Sequence, residues 1–215
     1  MTDREPVNIM GVIAFPNPDK DQRVIRFIDS EYHTLFTIKD GESIVITRFD
    51  GEKMVFPCKY IDDCHVCIGN SAYHICEFAE MQERNGNTYV PRTPKISAEI
   101  GTYEIYQIPA IADVDYYFRP YAEAKGKLQN ADYQRSYAGM FAKENSLEDL
   151  WAKHNSDHRP FARRMRSLSV SDVVVLTQAG KKTAYYADTI GFKEVPEFLA
   201  QQRVQKKHKE RGEAR

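Results

Sequence analysis

Residues 173–190 read VVVLTQAGKKTAYYADTI, and this stretch decides the fold. An apolar run from Val173 to Leu176, a turn from Gln178 to Lys182 around Gly180, and a second run from Thr183 to Ile190 predict a β-hairpin, because β-branched and aromatic side chains suit a pleated surface and glycine suits the turn. Such a hairpin needs helices to cover it. Upstream, Ser146 precedes Glu148 and Asp149 in a first turn and Leu147, Leu150, Trp151 and His154 on one face, which predicts an amphipathic helix with acidic residues at its positive end. Downstream, Pro196 opens a last helix carrying Phe198 and Leu199. Between residues 100 and 146, Tyr103–Ile108 and Tyr133–Phe141 read as strands, and Pro120 starts a short helix over Tyr121–Lys127 that stops near Gly126.

Towards the N-terminus, strand-like runs recur at Val24–Ile28, Leu35–Ile38, Ser43–Thr47 and Met54–Cys58. Asp50-Gly51 predicts a type I′ hairpin turn, and Gly69-Asn70 closes another. Ser71 is expected to cap a helix with apolar positions at Ile75, Phe78, Ala79 and Met81, ending before Asn85-Gly86-Asn87. Pro91 to Pro94 reads as a linker, since two prolines in four residues resist both helix and ladder. The expected fold class is α+β in two small units. Residues 1–90 form an antiparallel sheet with one helix, 91–97 a linker, 98–200 a hairpin packed by helices, and 201–215 a basic tail.

The 215 residues carry 30 Lys and Arg against 31 Asp and Glu, with 42% hydrophobic and 12% aromatic side chains, which excludes wholesale disorder and low-complexity arrays. The near-neutral total is a cancellation. Residues 1–100 hold 11 basic against 16 acidic side chains, and the remainder 19 against 15. The longest apolar stretch, Ile9 to Phe15, falls far below the roughly 20 residues of a spanning helix, and the Asp3-Arg4-Glu5 start lacks the charge of a secretory signal. A cytoplasmic location, no membrane partner and reduced thiols are expected.

The segments SLSVSDVVVL (167–176), YYAD (185–188) and GFKEVPEF (191–198), with LEDL (147–150) and DHRPF (157–161) upstream, resemble the YodL-like domain family over roughly residues 98–200. The first unit, through IDS (28–30), DGE (50–52), CKY (58–60) and HICEFA (74–79), resembles a small domain that accompanies YodL-like domains in large polyvalent proteins. Those families occur in phages, plasmids and integrative conjugative elements. The resemblance implies that genetic context, Ser167, Ser169, Ser171 and Asp172 as the family motif, and by analogy a part in blocking host defence. It implies no reaction.

Three clusters invite chemistry. Cys58, Cys64, His65, Cys67, His74 and Cys76 lie within 19 residues, and zinc prefers thiolate and imidazole. Against a metal, strand alternation sends Cys64 to one face and Cys67 to the other, so buried reduced cysteines are expected. Ser167, Ser169, Ser171 and Asp172, with His154 or His158 as base, suggest a nucleophile, but no Gly-x-Ser-x-Gly elbow is present, and short hydroxyls before a strand readily bond to local amides instead. Arg159, Phe161, Arg163, Arg164 and Arg166, with Lys206, Lys207 and Lys209 in the tail, form the partner-binding set, since guanidinium forks suit phosphate or carboxylate. Tyr103, Tyr106, Tyr116, Tyr117 and Tyr121 are either half-buried or part of an interface.

The expected function is a non-enzymatic accessory protein of a mobile element that binds a host macromolecule, with a host protein as partner. By analogy it is an inhibitor of a defence nuclease, of anti-CRISPR or anti-restriction type. Direct nucleic-acid binding through the basic half is the alternative, and a hydrolase or zinc-dependent enzyme a further one. No cofactor is expected, since no phosphate loop, dinucleotide fingerprint or kinase signature occurs.

Overall fold

The structure, a computed structural model, describes residues 7–9, 12–14, 23–93 and 100–202. It is sheet-rich and mixed, and every strand pair is antiparallel.

In the C-terminal half, β10 (Gly101–Gln107), β11 (Gln134–Phe141), β12 (Val173–Gln178), β13 (Lys181–Ala187) and β14 (Phe192–Glu194) form a sheet in the order β11-β10-β12-β13-β14. The hairpin read from residues 173–190 is its centre. Ala179 (φ 47°) and Gly180 (φ 74°) both take positive φ at its tip, the pattern of a type I′ turn. Residues 173–176 are buried on both faces, which is why the run is continuously apolar and does not alternate. Val173 and Val175 meet Tyr133, Tyr186 and Phe198 on one side, and Val174 and Leu176 meet Tyr103, Tyr137 and Leu150 on the other.

Two helices supply those covers. Leu147–Asn155 begins in a capping box, with the Ser146 hydroxyl accepting from the Asp149 amide and the Asp149 carboxylate accepting from the Ser146 amide, and it buries Leu150 and His154. Helical residues 196–202 place Phe198 on the opposite face. The expected helix after Pro120 is one turn, Tyr121–Ala124.

In the N-terminal half, β3 (Val24–Ile28) pairs with β4 (Thr34–Lys39), and a five-stranded sheet runs β8-β7-β6-β5-β9. Its members are β5 (Ser43–Thr47), β6 (Lys53–Tyr60), β7 (His65–Ile68), β8 (Ser71–His74) and β9 (Thr88–Pro91). The strand runs read from 24 to 58 coincide with β3 to β6. β1 (Val7–Ile9) and β2 (Val12–Ala14) pair as a separate ribbon. The helix over Ile75–Arg84 lies against β3, and Phe78 packs edge-on to Phe27, Tyr73 and Tyr89.

Three local expectations are corrected. Ser71 opens a strand and does not cap the helix. Gly69 alone takes positive φ (62°) in a two-residue turn, so the chain doubles straight back into β8, and His74 caps Ile75–Arg84 by accepting from the Cys76 amide at 3.3 Å. At Asp50-Gly51 only Gly51 is left-handed (φ 95°), and its amide donates to the Arg48 carbonyl at 2.9 Å, so the hairpin turns without the type I′ pair. Pro91 ends β9 opposite Ile44 and does not begin a linker. β9 is an edge strand, where a missing N–H breaks no ladder bond. Residues 94–97 of the expected linker lie outside the described residues.

The two halves meet through polar and aromatic contacts. The Tyr137 hydroxyl donates to the Glu83 carbonyl at 3.2 Å, and the Lys153 ammonium meets the Glu83 carboxylate at 2.5 Å and donates to the Ser30 hydroxyl at 3.2 Å. Arg135 donates to the Phe49 carbonyl and lies over its ring, while Phe49 tilts against Phe161 at 5.1 Å.

Candidate binding cleft

At this junction opens a cleft of about 1420 Å³. One wall comes from the β3–β4 turn and the outer face of Ile75–Arg84, with Glu31, Glu80, Glu83 and Arg84. The other comes from the end of Leu147–Asn155 and the loop after it, with Lys153, Arg159, Phe161, Arg163 and Arg164. The loop turns tightly because the amides of Arg164 and Met165 both donate to the Phe161 carbonyl, at 2.8 and 3.0 Å. Phe161 itself sits at φ 60°, a left-handed conformation that costs a non-glycine residue about 1–3 kcal/mol unless its surroundings impose it. Its ring packs against Phe49 at 5.1 Å and Tyr137 at 6.0 Å between centroids.

Arg163 and Arg164 are exposed, and Arg164 lies over the Phe161 ring at 5.6 Å. Arg159 is half-buried, and its Nε is buried without a hydrogen-bond partner among the described residues. None of the three makes an ion pair among the described residues. Lys206, Lys207 and Lys209 lie outside the described residues.

Arg166 has a different place. Its Nη1 donates to Asp172 Oδ2 at 2.8 Å, its Nη2 donates to Oδ1, and its guanidinium lies over Phe118 at 4.9 Å and Tyr117 at 5.6 Å. Asp172, wholly buried, also accepts from Gln107 Nε2 at 2.8 Å and from the Ser169 amide at 2.9 Å. Burial pushes its carboxyl up to about 6, against the pull of Arg166, Gln107 and the Ser169 amide. The serines close the same knot. Ser169 donates to the Ser167 carbonyl at 3.1 Å, and Ser171, at φ 79°, accepts from the Phe118 amide at 3.0 Å on its hydroxyl and from the Tyr133 hydroxyl at 2.9 Å on its carbonyl.

The other candidates are separately placed. His154 is fully buried, with Nε2 sharing a 2.8 Å hydrogen bond with the Tyr103 hydroxyl, and desolvation lowers its pKa to about 3, so the ring is neutral. His158 is exposed on the cleft. Tyr103 and Tyr116 are buried, and Tyr106, Tyr117 and Tyr121 half-buried. Cys58 is buried, its thiol pushed up to about 12, while Cys64 is exposed and Cys67 and Cys76 half-buried. His65 and His74 pair across β7 and β8 with rings 5.2 Å apart. Among the described residues the group of three ligand-type side chains that converges is Asp29, Glu31 and His33, and none of the four cysteines belongs to it. Asp29 there accepts the Glu31 and His33 amides at 2.9 and 2.8 Å, which accounts for its burial as a turn-former.

Residues 102–198 match the YodL-like domain. No curated protein and no solved structure matches the chain. The YodL-like segment contains the arginine wall, the Arg166–Asp172 knot and His154, and the acidic wall lies outside it. That acidic wall carried no sequence signal: Glu31 stands in a turn, and Glu80, Glu83 and Arg84 read as an ordinary polar helix face. Among the described residues no helix is long and apolar enough to cross a membrane.

Proposed function

We propose that the protein is a non-enzymatic binding protein that holds a partner protein in the cleft between its two halves. The observation that carries this reading is the cleft itself, with Arg159, Phe161, Arg163 and Arg164 along one wall and no ion pair on those arginines among the described residues. Arginine and aromatic side chains at the centre of a concave surface are the residue types that dominate protein interfaces. The carboxylates of Glu31 and Glu80 opposite them favour a protein over a nucleic acid, whose phosphates they would repel. The hydrolase alternative asks for a base beside the serines, and His154 is instead bonded to Tyr103. In the mobile-element setting that the YodL-like resemblance implies, the partner is a host protein and the effect is to block a defence enzyme by occupying its surface.

A photocrosslinking residue in place of exposed Ala162, which lines the cleft, tests this in cells, with the same residue at Gln178 on the hairpin tip as control. The expected result is a discrete protein adduct from position 162, lost with Arg163→Glu and Arg164→Glu, and none from 178. Adducts to nucleic acid, or equal yields from both positions, would overturn the reading.

A further inference from the structure

Resting on that reading of the cleft, we infer that its occupant is an extended peptide segment rich in acidic side chains, with a carboxylate seated against Arg159, Arg163 and Arg164. Arg159, Arg163 and Arg164 all line the cleft, the last two exposed, and none of them is ion-paired among the described residues, so three guanidinium charges there await a carboxylate. Arg164, lying over Phe161, is preorganised, and a guanidinium held on an aromatic face still offers its N–H edge to a carboxylate fork.

The opposite wall sets the class. A phosphodiester chain carries a charge at every step and must pass Glu31 and Glu80, whereas a peptide can place its carboxylates towards the arginines and neutral side chains or backbone amides towards the glutamates. The cleft also exceeds the roughly 300–1,000 Å³ usual for a small-molecule site, so it suits a stretch of chain.

The test is fluorescence anisotropy on the full chain at low salt with three labelled probes. They are a peptide alternating Glu with Leu, the same peptide with Gln in place of Glu, and a single-stranded DNA of equal length. The Glu peptide is expected to bind at least about ten-fold tighter than either other probe, and the exposed pair Arg163→Ala/Arg164→Ala to weaken it by about ten-fold or more. Glu80→Gln, also at an exposed position, should raise DNA binding by a larger factor than peptide binding, since the phosphodiester chain is the probe that must pass that carboxylate. Tighter binding of DNA than of the Glu peptide, equal binding of the Gln peptide, or no loss in the double variant would overturn the inference. If position 162 crosslinks a cellular protein and the Glu peptide does not bind, the occupant is wrong and the protein-binding reading stands. If neither occurs, both fall.

Discussion

Arg163, Arg164 and Arg166 lie within four residues, and the fold puts them to opposite uses. Arg166 turns inward between the Tyr117–Phe118 stack and the buried carboxylate of Asp172, while Arg163 and Arg164 stand exposed along the cleft. Met165, 4% exposed, is the anchor between them. The difference teaches that a run of like charges is not one functional unit. Its members sort according to whether a buried opposite charge waits within reach.

The largest break in this contrast should come from Asp172→Ala, which takes the buried carboxylate from Arg166, leaves Arg166 Nη1 and Gln107 Nε2 only the Ser167 carbonyl at 3.2 and 3.4 Å, and leaves the Ser169 amide without its acceptor. A loss of about 3–5 kcal/mol in urea unfolding is expected, as for one partner removed from a buried pair. A smaller effect concerns His154, buried against Tyr103 and Tyr137. Its pKa is about 3 in the fold against 6.5 unfolded, so the unfolded chain binds the extra proton between those values, and stability contributed by the neutral ring at neutral pH is lost as pH falls from about 6.5 towards 3. Asp172 works the other way. Its folded pKa near 6 lies above 3.8, so its protonation favours the fold as pH falls through that window. His154→Phe should therefore lose less stability than the parent between pH 6 and 4, by about 2 kcal/mol, measured by urea unfolding at each pH.

Gly139→Ala should cost about 1–3 kcal/mol, because a Cβ there would lie 2.8 Å from the ring of Tyr137, two residues back on the same strand, and 2.9 Å from the ring of its cross-strand partner Tyr103, both of which pack on His154. The smallest change is the sharpest for function. Arg163→Ala/Arg164→Ala should shift unfolding by less than about 0.5 kcal/mol while removing the crosslink from position 162.

Much of the fold was legible, for identifiable reasons. The strands from Val24 to Cys58 and the hairpin from Val173 announce themselves by apolar runs broken at Gly51 and Gly180, and Ser146 with Asp149 spells out a capping box. Ser71 misled because a capping signal and a strand start use the same residue type, and the adjacent Gly69-Asn70 turn decided between them. The site was half legible. The arginines stand together in sequence, but the cleft takes its opposite wall from Glu31 and Glu80, more than 70 residues away, and the Tyr117–Phe118 stack that claims Arg166 comes from 48 residues upstream. Only Asp172, six residues on, hinted at a local partner.

The most direct test is urea unfolding of Arg163→Ala, Arg164→Ala and Arg166→Ala side by side. If the run divides at Met165 between surface and fold, Arg166→Ala alone loses about 2–3 kcal/mol, since it strands the buried Asp172, and the other two stay within about 0.5 kcal/mol of the parent. Equal losses from all three, or an Arg166→Ala variant as stable as the parent, would contradict the division.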